Sequence, residues 1–121
     1  MSNLQNLTVI VVTYRTNHEI LDDCIKSIDQ NVKILIIENS DDAKFKEKYE
    51  NKFNNVSVIL THKNLGYGGG NNFGFKNIKT RYGLISNPDV VYNSNFFEEI
   101  DKYLIPEIEF SIIGVSYDNE E

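Results

Sequence analysis

The stretch Asn64-Leu65-Gly66-Tyr67-Gly68-Gly69-Gly70-Asn71-Asn72-Phe73-Gly74 carries five of the chain's seven glycines and closely follows the apolar run 56–60. A strand that empties into so many glycines predicts a backbone that turns sharply or lets another group approach closely. One unit later the arrangement recurs: Leu84-Ile85 leads to Asn87-Pro88-Asp89, a proline-stiffened turn bearing a carboxylate. Two strand ends then deliver polar groups to one edge of a sheet. In open α/β sheets the edge outside the carboxyl ends of the strands is where ligands bind.

Working outward, residues 7–12 form an almost unbroken β-branched run, as expected of a strand covered on both faces in a parallel sheet. Thr16-x-x-Glu19 has the form of a capping box, and Ile20, Leu21, Cys24, Ile25 and Ile28 then recur at helical spacing as one buried stripe. Residues 33–37 predict a second strand, after which the polar run from Glu38 to Asp41 can cap a helix whose inner face is Phe45, Tyr49 and Phe53. The third strand is 56–60, the glycine loop leads to a short helix over about 71–78, and 82–86 supplies a fourth strand. Ser94 can cap a further helix with Phe96, Phe97, Ile100, Tyr103 and Leu104 inward, broken at Pro106, and 110–115 reads as a fifth strand before an acidic tail. Strands alternating with helices at this pace predict an α/β fold with a doubly wound, mostly parallel sheet.

At 121 residues with 40% hydrophobic content, residues 1–121 are expected to form one domain with one modest core. A net charge of -6 argues against general affinity for nucleic acid or anionic lipid, because both need a basic surface. The single Cys24 allows no intrachain disulfide, and no apolar run reaches membrane-spanning length. The expected setting is cytoplasmic, without a transmembrane segment.

Three familiar phosphate-site patterns fail on these residues. A dinucleotide fingerprint opened by Gly66-x-Gly68 would need its third glycine where Asn71 stands, and it would follow the first strand, not the third. A P-loop over Gly69 to Gly74 would need lysine at Phe75. A phosphorelay receiver needs acids where Thr13-Tyr14-Arg15 and Thr61-His62-Lys63 lie.

Taken together, the motifs resemble the nucleotide-binding half of family 2 glycosyltransferases with a GT-A fold, most closely the rhamnosyltransferase-like members. The matching segments are Val11-Val12-Thr13-Tyr14, Glu38-Asn39-Ser40, Asn64-x-Gly66-Tyr67-Gly68-x-Gly70-x-Asn72-x-Gly74 and Asn87-Pro88-Asp89, in order and on the corresponding elements. The resemblance runs over about 7–115 and implies a Rossmann-like GT-A nucleotide-binding half. It implies that Thr13, Tyr14 and Glu38 line a uracil or thymine pocket. It implies that Asn64, Gly66, Gly70 and Asn72 form the loop against the nucleotide. Asp89 would hold Mg²⁺ or Mn²⁺ at the diphosphate with Asn87 beside it. The implied activity is inverting, metal-assisted hexosyl transfer from a UDP- or dTDP-linked sugar to a glycan or lipid-linked acceptor, as in polysaccharide biosynthesis. Glu38 stands where the family usually carries aspartate, and Arg15 where asparagine is common. The acceptor region and its general base are expected beyond the chain end, so this chain is expected to be the donor-binding half, inactive alone.

Plainer readings stand beside these. Glu38 to Asp41 would serve as a helix cap, Asn87-Pro88-Asp89 as a bare turn, Cys24 and the aromatic positions as core, and His18 and His62 as solvated loop residues. Lys44, Lys46, Lys48 and Lys52 form an exposed helix face. The rival functions are a non-catalytic nucleotide or nucleotide-sugar-binding module, and an α/β interaction domain whose glycine loop is structural.

Overall fold

The computed structural model describes residues 2–105 and the strand at Ser111–Ile113. Five parallel strands lie in the order β3-β2-β1-β4-β5. The central strand β1 (Leu7–Thr13) is flanked by β2 (Lys33–Glu38) and β3 (Val56–Leu60) on one side, and by β4 (Tyr82–Ser86) and β5 (Ser111–Ile113) on the other. This is the doubly wound parallel sheet that the sequence predicts. Pro106, Phe110 and the acidic tail 116–121 lie outside the described residues.

The sheet's composition follows from having both faces covered. All seven residues of β1 are buried. Val9 and Val11 join Ile34, Ile36 and Val58 beneath α1 (His18–Lys26) and α2 (Ala43–Lys52), whereas Ile10 and Val12 join Leu35 and Ile37 beneath α3 (Gly66–Asn77). Burying each such side chain is worth about 1.5–3 kcal/mol, so an unbroken apolar run, not an alternating one, is what this position selects. The chain leaves β1 toward β2 and β3, then crosses to β4 on the other side. The carboxyl ends of β1 and β4 therefore part at a topological switch point, where a crevice forms.

The glycine segment is where expectation and structure differ most. The helix is not a short one beginning near Asn71; it begins at Gly66 and takes in every glycine of the segment. A β-carbon on Gly70 would lie 2.8 Å and 2.9 Å from the methyls of Val12, and one on Gly74 would lie 2.6 Å from Ile10 Cγ2. Glycines four apart share one helix face, so this pair lets α3 settle directly onto the sheet. Only Gly66, with φ of +77°, occupies backbone space that calls for glycine.

Smaller differences have local causes. The N-cap of α1 is Asn17, whose Oδ1 accepts from Ile20 N at 3.0 Å, and Thr16 Oγ1 instead accepts from Tyr14 N at 3.2 Å. Arg15 has a φ of +52°, and this left-handed residue turns the chain back at the end of β1. The cap of α2 is Asp42, one residue past the expected run, accepting from Phe45 N at 3.1 Å. A last helix, α4 (Phe96–Asp101), starts after Asn95 without a side-chain cap from Ser94, and Tyr103 is 66% exposed where an inward position was expected.

Candidate functional site

Two adjoining cavities open at the carboxyl edge of the sheet, and Tyr14 lines both. The larger, about 550 Å³, lies at the switch point between the ends of β1 and β4. Thr13, Tyr14, Asn64, Gly66, Asn87 and Asp89 all line it, so six of the predicted site residues, from three separate segments, meet at one opening. The smaller, about 300 Å³, is lined by Tyr14, Arg15, His18, Glu38, Ser40, Asp41, Asp42 and Phe45. Gly70 and Asn72 line neither. Gly70 is buried against Val12, and Asn72 is exposed on α3.

Glu38 is the most constrained polar group of the site. It is 5% exposed, pairs with Thr13 across the β1–β2 ladder, and receives Thr13 Oγ1–H on Oε1 at 2.5 Å and Ser40 Oγ–H on Oε2 at 2.6 Å. A buried carboxylate is stable only with such donors, and each of its oxygens retains a lone pair for a ligand donor. The helix-cap role open to this run falls instead to Asp42.

The neighbouring Asn39, 1% exposed, joins three elements through one amide. Its Nδ2 donates to Gly66 O at 3.1 Å, and its Oδ1 accepts from Thr61 Oγ1 at 3.0 Å. Asn64 Oδ1 in turn accepts from Gly66 N at 2.9 Å. Gly66 is thus held from both sides, and Asn64 acts on the backbone at the start of α3 while also lining the larger cavity. Asn71, the next residue after Gly70, is buried with an Oδ1 that has no hydrogen-bond partner.

His18 is exposed, as expected, but it lies in a helix and not a loop, as the first residue of α1. Its ring meets Phe45 and Tyr49 edge-on at centroid distances of 5.6 and 5.4 Å. Lys48 Nζ approaches His18 Nδ1 at 2.7 Å, and because an ammonium only donates, Nδ1 is the acceptor. Arg15, whose guanidinium carbon lies 5.1 Å from the centre of the Tyr14 ring, shares the smaller cavity. Ile20, expected in the buried stripe, is 48% exposed and lines the larger cavity, as does Tyr67. Sequence periodicity assigns Ile20 to the core because a helix's first turn carries the same spacing whether or not the sheet extends beneath it.

The Asn87 turn is closed by Val90 N donating to Asn87 O at 3.3 Å, with Pro88 at the second position, where its fixed φ suits a β-turn. Asp89 is exposed at the cavity wall. Among the described residues no cluster of three or more His, Cys, Asp or Glu could hold a metal ion without help. One hard carboxylate oxygen beside a cavity fits a cation that takes its remaining ligands from water and substrate phosphates, as Mg²⁺ commonly does. Cys24, fully buried behind this turn, has its thiol pushed up to about 11 by burial first and by the Asp89 charge, against a lowering hydrogen bond with Ser86. It is a protonated packing thiol, not a nucleophile.

The family profile described as glycosyl transferase family 2 matches residues 8–117. Among 19 matching chains of solved structures is S. aureus TarS 1-349, with a TM-score of 0.66 and 19% sequence identity. The match covers 81% of the present chain and 32% of TarS 1-349, so the chain spans about a third of that structure's length. No curated protein matches the sequence. No described helix is long and apolar enough to cross a membrane.

Proposed function

The chain belongs to glycosyl transferase family 2 and has the sheet of a Rossmann-like GT-A fragment, and from that premise we propose that it binds a UDP- or dTDP-linked sugar for transfer to a glycan or lipid-linked acceptor. The observation that carries the reading is the meeting of Thr13, Tyr14, Asn64, Gly66, Asn87 and Asp89 around one 550 Å³ cavity at the switch point, with Glu38 in the cavity next to it.

Each group has a part that its chemistry suits. Glu38, held by Thr13 and Ser40, accepts a hydrogen bond from the pyrimidine or its ribose, and Tyr14 offers a half-exposed ring between the two cavities. Gly66 and Asn64 form the wall toward the sugar-phosphate chain. Asp89 would hold Mg²⁺ or Mn²⁺, with Asn87 beside it. A divalent ion there would stabilise the charge on the departing diphosphate. The transfer is read as inverting and the setting as cytoplasmic.

A second reading, that this chain binds donor without transferring it, is favoured by how the acids are engaged. Inverting transfer needs a free carboxylate near the acceptor hydroxyl. Among the acids lining the two cavities, Glu38 receives two hydroxyls, Asp42 caps α2 and Asp89 is assigned to the metal; Asp41 alone is uncommitted, and it lines the smaller cavity assigned to the base, not the larger one assigned to the sugar-phosphate chain. We assign the chain the donor-binding share of a transferase, with little transfer of its own.

Calorimetric titration with UDP and dTDP, with and without Mn²⁺ or Mg²⁺, tests the reading. Binding is expected to tighten with metal in the unmutated protein and to lose that dependence in Asp89→Asn. Equal metal dependence in both proteins would remove Asp89 from the role, and absence of nucleotide binding would remove the function.

A further inference from the structure

We propose that Cys24 in α1 and Ser27, the C-cap of that helix, are positioning residues for the turn that carries Asp89, so that affinity for a metal-bound diphosphate is set in part from this helix and its cap. The proposal rests on Asp89 being the metal-binding carboxylate.

Between Ser86, where β4 ends, and Phe96, where α4 begins, the chain forms no strand or helix. The Asp89 side chain has no hydrogen bond of its own among the described residues, so its place is set by its backbone. That backbone is fastened at two points to one helix. Upstream, Asn87 O receives Cys24 Sγ at 3.8 Å, together with Ser86 Oγ at 3.0 Å and the turn-closing Val90 N at 3.3 Å. Downstream, Tyr92 N donates to Ser27 Oγ at 2.9 Å, while Ser27 Oγ donates to Cys24 O at 2.7 Å. The two fastenings bracket Asp89, one within α1 and the other at its C-cap. The Ser27 hydroxyl is engaged as both donor and acceptor, which leaves the loop one orientation on the helix.

The Cys24 thiol is fully buried, so no water competes with Asn87 O for its S–H. A thiol is a weak donor, and the Ser27 bond is the stronger of the two. Ordinary packing of α1 against the sheet accounts for the burial of Cys24 but not for a hydroxyl that takes the Tyr92 amide.

The experiment uses the full chain and its Ser27→Ala, Cys24→Val and Cys24→Ser variants. Three readouts are compared: UDP affinity at saturating Mn²⁺, UMP affinity without metal, and hydrogen exchange at the amides of residues 87–92. Ser27→Ala is expected to raise the Kd for UDP with Mn²⁺ about three- to tenfold, the range of one lost hydrogen bond, and to hasten exchange at Asp89 and Val90. Its UMP affinity is expected to stay within about twofold, since UMP binding without metal makes no use of Asp89. Cys24→Ser, which keeps a donor, is expected to lie closer to the unmutated protein than Cys24→Val. A variant that unfolds is read through the other two.

Equal weakening of UMP and UDP would mean general damage and overturn the proposal, as would unchanged affinity and exchange in Ser27→Ala. Should the unmutated protein bind UDP equally with and without Mn²⁺, the reading of Asp89 falls, and the positioning role falls with it. If metal dependence is present but all variants keep it in full, only the positioning role is lost.

Discussion

Gly70 lies on Val12 so closely that a β-carbon added to the glycine would stand 2.8 Å from Val12 Cγ1. Real β-carbons do not approach that near, and Val12 is a buried strand residue with no room to retreat. The contact fixes how near α3 stands to the sheet, and with it the height of Gly66 and Asn64 at the cavity wall.

Gly70→Ala is therefore expected to destabilise the fold by about 1–3 kcal/mol through overpacking, and Gly74→Ala, against Ile10, by a similar amount. Gly68 faces open space at an ordinary helical φ, so Gly68→Ala is expected to add about 0.5–1 kcal/mol. Urea denaturation of the three variants checks this. A neutral Gly70→Ala would mean that α3 can lift off the sheet freely.

Glu38 accepts one buried and one half-buried hydroxyl, so Glu38→Ala leaves Thr13 and Ser40 without their acceptor and is expected to cost about 1–3 kcal/mol. In titrations with UDP and ADP, the unmutated protein is expected to prefer the pyrimidine, and the variant to lose roughly tenfold of that preference. Indistinguishable affinities for UDP and ADP in the unmutated protein would show that the smaller cavity is not a base pocket.

Acid sensitivity is expected at the contact between α1 and α2. Burial pushes the Asp22 carboxyl up, but hydrogen bonds from Lys52 Nζ and Tyr49 OH, both at 2.7 Å, outweigh it and hold the group below its ordinary 3.8. A depressed folded value means the contribution is present above the unfolded pKa and is lost as pH falls through the folded one. Tyr49→Phe should thus flatten the stability curve below about pH 4. Thermal midpoints from pH 6 to 2 test it, and parallel curves for the two proteins would refute the assignment.

Transfer by the 121 residues alone is expected to be slow, with donor hydrolysis the main product. A general base typically contributes about 10² to 10⁴ in rate, and acceptor positioning about 7–11 kcal/mol. Radiolabelled UDP- and dTDP-sugars over a panel of acceptors provide the assay. Efficient transfer would point to Asp41, the cavity acid left without an assigned part, as the base.

The chain's β-branched runs and their spacing were enough to specify the parallel sheet. A strand buried on both faces must be apolar throughout, and that constraint is written locally. The same logic brings the carboxyl ends of β1, β2 and β4 to one edge, where Asn87-Pro88-Asp89 was legible as a polar turn, whereas Thr13 and Glu38 were singled out by the motif resemblance and not by periodicity. The glycine segment marked the site but not its own geometry. Whether Gly70 serves a loop or a helix lying on Val12 depends on a strand more than fifty residues earlier, and a glycine reads alike in both. Likewise, only the folded chain sets Cys24 against Asn87 and Ser27 against Tyr92, pairs 63 and 65 residues apart. Side-chain hydrogen bonds of that separation follow from how helices dock on the sheet, and docking depends on shape across the whole core, which no local pattern records.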